Sequence, residues 1–196
     1  MIVVDIETSG VDPRKHSILS IGAIDFKQPE NQFYEECYIF EGAEISLEAL
    51  AINGFTENEI KNPKKKSLEE IIKLFIEWIT PIENKILAGH NTFFDLEFLR
   101  HSFLRYNIDW KLGHRIIDLH SICFAHCLQK NIPIPIKNGR TDLNLDKILN
   151  YVGLPDEPKP HNALTGAKLE AEALARLIYK KNILKEFASF SIPEYL

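Results

Sequence analysis

The sequence predicts an α/β protein: a mixed five-stranded sheet, its first three strands antiparallel, with helices on both faces. Three observations predict it. The first 40 residues hold three β-rich runs separated by turn-forming segments, the pattern of an antiparallel meander. Beyond residue 67, apolar strand-like runs alternate with segments of helical period, as in strands joined by crossovers. Hydrophobic residues make up 45% of the 196, enough to bury a full core on both sides of a sheet.

The first strand is read at Met1–Thr8 and is followed by a turn rich in Ser, Gly and Pro. The second and third fall within Ser17–Phe26 and Gln32–Phe40. Residues 44–60 read as short helical pieces broken at Asn53-Gly54-Phe55. Ser67 and Glu70 form a capping box in front of a helix over Leu68–Ile79. Lys85–Asn91 reads as a buried strand, and Phe93–Tyr106 as a helix with Leu96, Leu99 and Phe103 on one face. Arg115–Gln129 supplies the fifth strand running into a helix. A Pro/Gly-rich loop over 131–142, a helix within 143–154 and a stiff proline-rich connector over 154–161 follow. The last helix, Ala163–Lys181, is expected to bury one stripe of Leu164, Ala167, Ala171, Leu174 and Ile178. The expected organisation is a single domain over 1–185 with a C-terminal tail at 186–196.

The formal net charge of −5 argues against a protein that coats nucleic acid nonspecifically, since that requires a broad basic face. It leaves room for one that grips a few phosphates at a chain end through metal ions. Lys64–Lys66 and Lys180–Lys181 read as solvated surface. Acidic Asp5 and Glu7 interrupt the N-terminal apolar run, and the most apolar helical segment is broken by Lys73 and Glu77, so a cytoplasmic protein without a membrane span is expected. Three cysteines fit a reducing compartment. Cys123 and Cys127, with His120 and His126 between and beside them, raise a zinc site, but the spacing fits no common zinc pattern and core packing is the favoured reading.

The acids carry more. Asp5 and Glu7 are two apart on a strand and so leave it on one face, while Ile2, Val4, Ile6 and Thr8 take the other. Two adjacent carboxylates on so apolar a strand need a cation, or one must stay protonated; a strand end emerging into solvent is the plain alternative. Asp95 lies in the first turn of a helix, where the helix dipole favours a carboxylate, and it follows a buried strand ending in Gly89, His90 and Asn91, where α/β sheets often place ligand groups. His161 stands between a stiff connector and a helix.

Taken in order, "DIETSG" (5–10), "GHNTFFDLEFL" (89–99) and "HNALTGAKLEAE" (161–172) resemble the three motifs of the DnaQ-like exonuclease superfamily, in its subgroup with histidine in the third motif. The resemblance covers almost the whole chain, "EISLEALAINGFTENEI" (44–60) included. It implies a ribonuclease H-like fold and metal-dependent 3′-5′ removal of nucleotides from single-stranded DNA or RNA ends, with two ions, Mg²⁺ or Mn²⁺. Carried over, Asp5 bridges both ions, Glu7 holds the ion that binds the attacking water, Asp95 supports the second, and His161 takes the proton from that water. Thr8, Gly10, Asn91 and Phe94 match positions that cradle the terminal nucleotide. A polymerase or another protein partner is compatible with the family.

The chain departs from the family at one place. The fourth acid, an aspartate five residues after the histidine, is replaced by Gly166, and no aspartate follows Asp156. Three explanations stand open: Glu170, one turn on, substitutes through the room Gly166 leaves; water fills the gap, with Mn²⁺ preferred; or catalysis is lost and the cleft only binds nucleic-acid ends or a partner. The activity is expected to be retained. The glycine also has a plain reading, close packing against a strand.

Overall fold

The computed structural model describes residues 1–196. Strands β1 (Ile2–Thr8), β2 (Ile18–Asp25) and β3 (Gln32–Glu36) form the expected meander, with Asp5 opposite Gly22 and Glu7 opposite Ser20. Helices α1 (Leu47–Asn53) and α2 (Glu57–Ile60) follow, then α3 (Leu68–Ile79), capped as expected by the reciprocal Ser67–Glu70 pair. β4 (Leu87–Gly89) pairs parallel to β1 and leads into α4 (Thr92–Arg105); β5 (Ile116–Asp118), parallel to β4, leads into α5 (Leu119–Gln129). The sheet order is β3-β2-β1-β4-β5, so β1, which carries Asp5 and Glu7, is central. The proline-rich 131–142 loop contains a small exposed hairpin, β6 (Ile136–Lys137) and β7 (Arg140–Thr141), before α6 (Leu145–Tyr151) and α7 (Ala163–Tyr179).

Strand alternation divides the core in two. Ile2, Val4 and Ile6 pack against Phe75 of α3 and Leu99 and Phe103 of α4. Val3, Ile24 and Ala88 face α5, α6 and α7, where Cys123 and Cys127 are buried among Ile148, Leu149 and Leu174. The two histidines of that cysteine segment are engaged elsewhere, His120 with the Thr141 hydroxyl and His126 with the Tyr151 hydroxyl. Lys65 and Lys66 tie down the outer strand through Glu36 and Glu35. No helix is long and apolar enough to cross a membrane.

Helix α7 departs from the single stripe expected of it. Ile178 is exposed and Leu164 only half-buried, whereas Glu172 and Arg176 are fully buried. The helix is sandwiched: one side lies on β1 and β2, and the other is covered by the C-terminal segment, whose Phe187 and Leu196 sit in the second core. Arg176 donates to the carbonyls of Val152, Gly153, Phe187, Phe190 and Ser191 and to Glu172, while the second Glu172 oxygen accepts from the amides of Ile183 and Leu184. A buried charge with so many partners is tolerated because each donor is used. At the other end of α7 the backbone rests directly on β2, since a Cβ on Gly22 would stand 2.1 Å from the Ala163 carbonyl carbon.

Candidate active site

β1 and β4 pair only at Ile2–Leu87 and Val3–Ala88. The ladder ends there, with Gly89 still against the Val4 carbonyl, and the crevice past it lies between a strand followed by a hairpin and one followed by a helix, the kind of place where open α/β sheets bind ligands. Asp5 and Glu7 project there, on the α7 side. A register shift between Glu7 and Thr8 turns the chain away from the sheet. Asp95 enters from the other layer, in the first turn of α4, and is buried. Because Gly22 lets the start of α7 close onto the sheet, the helix passes directly over Asp5. A Cβ on Gly166 would stand 2.1 Å from Asp5 Oδ2. One turn on, buried Glu170 reaches down beside Gly89, whose missing side chain leaves room: a Cβ there would stand 2.9 Å from Glu170 Oε2.

The sequence expectation that Gly166 makes room for Glu170 is therefore corrected. Glu170 does join the acids, but the space it needs is at Gly89. The space at Gly166 is taken by Asp5 and by a residue that sequence reasoning passed over, Glu157, whose Oε1 lies 3.2 Å from the same Cβ position. The plain reading of Gly166, close packing against a strand, holds as well.

Crowding these carboxyls away from water drives each toward its neutral form. Burial holds Asp5 well above the ordinary carboxylate range, reinforced by Glu170, Asp95, Glu7 and Glu157. Asp95 is lifted by burial and by Glu7 and Asp118, against the pull of the Ile6 and Asp95 amides. Glu170 is lifted by burial and by Asp95. Burial and Glu157 push Glu7 up to about 8, and burial and Asp146 push Glu157 up to about 7.

Such an arrangement asks for positive charge. Asp95 Oδ1 and Glu170 Oε2 are buried without any hydrogen-bond partner, which leaves their desolvation uncompensated. The set is oxygen-only, the chemistry that suits Mg²⁺ or Mn²⁺ rather than zinc or copper. The residues thus fit hard divalent cations in kind. As the side chains stand, no three acids gather around one point closely enough to hold an ion.

His161 stands at the edge of the cluster with its side chain 31% exposed, and its backbone amide donates to the Ile52 carbonyl. Burial lowers its pKa, so the imidazole is neutral and able to accept a proton near pH 7. Its Nδ1 lies 3.5 Å from Glu157 Oε2. Both partners are shifted toward their uncharged forms, so this is a polar contact rather than a charge-stabilised pair. Asn162 follows and caps α7, accepting from the amides of Leu164 and Thr165 and donating to the Tyr34 hydroxyl. Those bonds fix where His161 can stand.

The other expected residues line the cleft beside the acids. Thr8 and Gly10 share a groove with Glu7 and Phe94; the Thr8 hydroxyl donates to the Gly10 carbonyl at 2.7 Å, and Asn53 donates to the Thr8 carbonyl at 3.1 Å. Asn91 has a left-handed backbone, φ 58°, and makes no capping bond, leaving its exposed side chain free. Phe94 packs at a tilt against Phe98, ring centroids 4.8 Å apart, and, with Asn91, Val11 and exposed Phe93, lines an adjoining hollow of about 540 Å³. That volume is within the range of small-ligand sites.

A family model described as an exonuclease, RNase_T, matches residues 2–174. The chain is 29% identical over 180 residues to the PolC-type DNA polymerase III of Thermotoga petrophila, spanning 90% of this chain but only 12% of the polymerase. It is also 29% identical over 184 residues to the 3′-5′ DNA exonuclease Cap18 of Escherichia coli, spanning 91% of each chain. Among solved structures, Escherichia coli exonuclease I in complex with a DNA oligonucleotide shares the fold, with a TM-score of 0.71 over 92% of this chain and 40% of that one, at 19% identity. With the three motifs brought to one crevice of a ribonuclease H-like sheet, and the family model spanning nearly all of it, the chain belongs to the RNase T family of DnaQ-like exonucleases.

Proposed function

We propose that the chain is a metal-dependent 3′-5′ exonuclease acting on single-stranded nucleic-acid ends, and on DNA in preference to RNA. One observation carries the reading: two buried carboxylate oxygens without partners, on Asp95 and Glu170, sit within a cluster of acids at the end of an open cleft. An isolated cluster of that kind destabilises the fold, and its retention is explained by what it binds. The nine-tenths alignment with a protein named as a DNA exonuclease favours DNA as substrate.

Asp5, Glu7, Asp95 and Glu170 are the residues that would hold the cations. Two such ions would supply stabilisation of the attacking and leaving oxygens of a phosphodiester displacement. The protein's own residues do the rest. His161, neutral near pH 7 and only partly exposed, takes a proton from the attacking water at its free ring nitrogen. Phe94 and Phe93 offer ring faces on which terminal bases stack without regard to sequence. Asn91, with no cap to satisfy, offers a donor and an acceptor to the terminal nucleotide, and the Thr8–Gly10 turn brings backbone close to the sugar. The net charge of −5 fits a protein that holds one strand end and little more of the strand.

The test is release of nucleotides from a 3′-labelled single-stranded oligonucleotide with Mg²⁺ or Mn²⁺. Wild type should release label and Asp5→Ala should not. Equal behaviour of the two would instead support a silent module that binds nucleic-acid ends. The likeness to part of a polymerase supports a working place beside a larger nucleic-acid enzyme, which co-purification from the native host would test.

A further inference from the structure

We propose that Glu157 is a cation ligand of the acid cluster, reaching Asp5 through the space left by Gly166. The inference rests on the metal-dependent reading and assigns a residue that lies outside all three motifs. From a common point, the place a Cβ on Gly166 would occupy, Asp5 Oδ2 is 2.1 Å away and Glu157 Oε1 3.2 Å away. The two oxygens are therefore at most about 5.3 Å apart, and a modest side-chain rotation lets one cation with bonds of about 2.1 Å touch both.

The placement is not what a surface connector would produce by itself. Pro155, Asp156, Pro158, Lys159 and Pro160 are all exposed, whereas the Glu157 side chain between them is 7% exposed. A carboxylate free to point into water points inward, toward other carboxylates. Its backbone is pinned so that it does so: the Glu157 amide donates to Asp146 at 3.1 Å, and Asn150 donates to Asp156, which moors the connector to α6. Pro160 packs against Gly54 at the end of α1, and the His161 amide bonds to Ile52, closing the other end. Asp95 and Glu170, 4% and 3% exposed with one oxygen each unpartnered, show independently that the space Glu157 enters lacks a positive group.

This gives Gly166 a reason beyond packing. A side chain at 166 and the Glu157 carboxylate compete for one volume. A chain that delivers its acid from the connector must leave position 166 bare, and the helix then carries the roughly 1 kcal/mol that glycine costs relative to alanine. The acid that the family resemblance leads one to expect on α7 is replaced in space, though not in sequence, by one nine residues earlier.

The experiment is Mn²⁺ titration by calorimetry at neutral pH on the full chain, comparing wild type, Glu157→Gln, and Glu157→Ala with Gly166→Asp. We expect Glu157→Gln to weaken binding at least tenfold, or to lose one ion of the stoichiometry, with an unchanged melting temperature in chelator. Combining Gly166→Asp with the truncation Glu157→Ala should restore affinity to within a few-fold, because the shortened side chain at 157 leaves its volume to the new carboxylate. Unchanged Mn²⁺ affinity in Glu157→Gln, with wild-type binding present, overturns the ligand role and leaves the exonuclease reading standing. Failure of wild type to bind Mn²⁺ at all overturns both.

Discussion

Glu7 makes the metal-free protein lose stability in alkaline solution, and Glu7→Gln should remove that loss. Its carboxyl is raised from 4.5 to about 8 in the folded chain. The folded state therefore keeps a proton that the unfolded chain has released, so stability falls as pH climbs from about 4.5 through about 8. Below about pH 6.5 the lowered histidines His90 and His161 act in the opposite sense, since the unfolded chain binds protons that the folded one refuses. Above them Glu157, raised to about 7, titrates beside Glu7, so only the difference from Glu7→Gln reports the one group. Between about pH 7 and pH 8.5, a group with these two values contributes a loss of about 1.2 kcal/mol, or about 3–5 °C in melting temperature for a chain of this size. Urea unfolding in chelator at the two pH values measures it, and subtracting the Glu7→Gln result isolates the one group. Saturating Mg²⁺ should abolish the difference in wild type, because a bound cation holds the charged carboxylate. A wild-type chain whose stability matches that of Glu7→Gln across the window, or that ignores Mg²⁺, would refute the electrostatic account.

Other consequences are as direct. Arg176→Met leaves Glu172 buried without its partner and removes five carbonyl contacts, three of them to the C-terminal segment, so it should cost about 3–5 kcal/mol in urea denaturation; a change below about 1 kcal/mol would mean the segment is held by its apolar residues alone. Gly22→Val forces a side chain into the Ala163 backbone, and should cost about 1–3 kcal/mol while lowering nuclease activity, because it lifts α7 away from Asp5. His161→Gln should lower kcat by about 10²–10⁴ with substrate KM nearly unchanged; an unaltered kcat would remove His161 from proton transfer.

Much of the fold was legible because it rests on local signals. The meander follows from β-rich runs and turn residues, the α3 start from Ser67 and Glu70, and the two cysteines from their spacing on the buried side of α5. The hairpin at 136–141 was hidden because both its strands are short and exposed. The burial of Glu172 and Arg176 was hidden because their partners lie on the C-terminal segment, at separations that no helical period reports. In the site, Asp5, Glu7, Asp95 and His161 were legible through motif order, and their crowding follows from strand and helix geometry. Glu157 was not, because a single acid among prolines carries no periodicity. Its one sequence signal is the spacing of four from His161, and its meaning depends on the non-local meeting of the connector with β1. Gly166 signalled that something was missing, but only the position of the Asp5 and Glu157 oxygens around it shows what fills the space.

The central claim is that the crowded carboxylates beside β1 are kept for divalent cations. Crystals soaked in Mn²⁺ and measured at the manganese absorption edge address it without relying on turnover. The account predicts anomalous peaks on either side of Asp5, with Glu7, Asp95, Glu170 and Glu157 drawn in around them. A map with no anomalous density next to Asp5, from crystals in which Mn²⁺ is in excess, would contradict it.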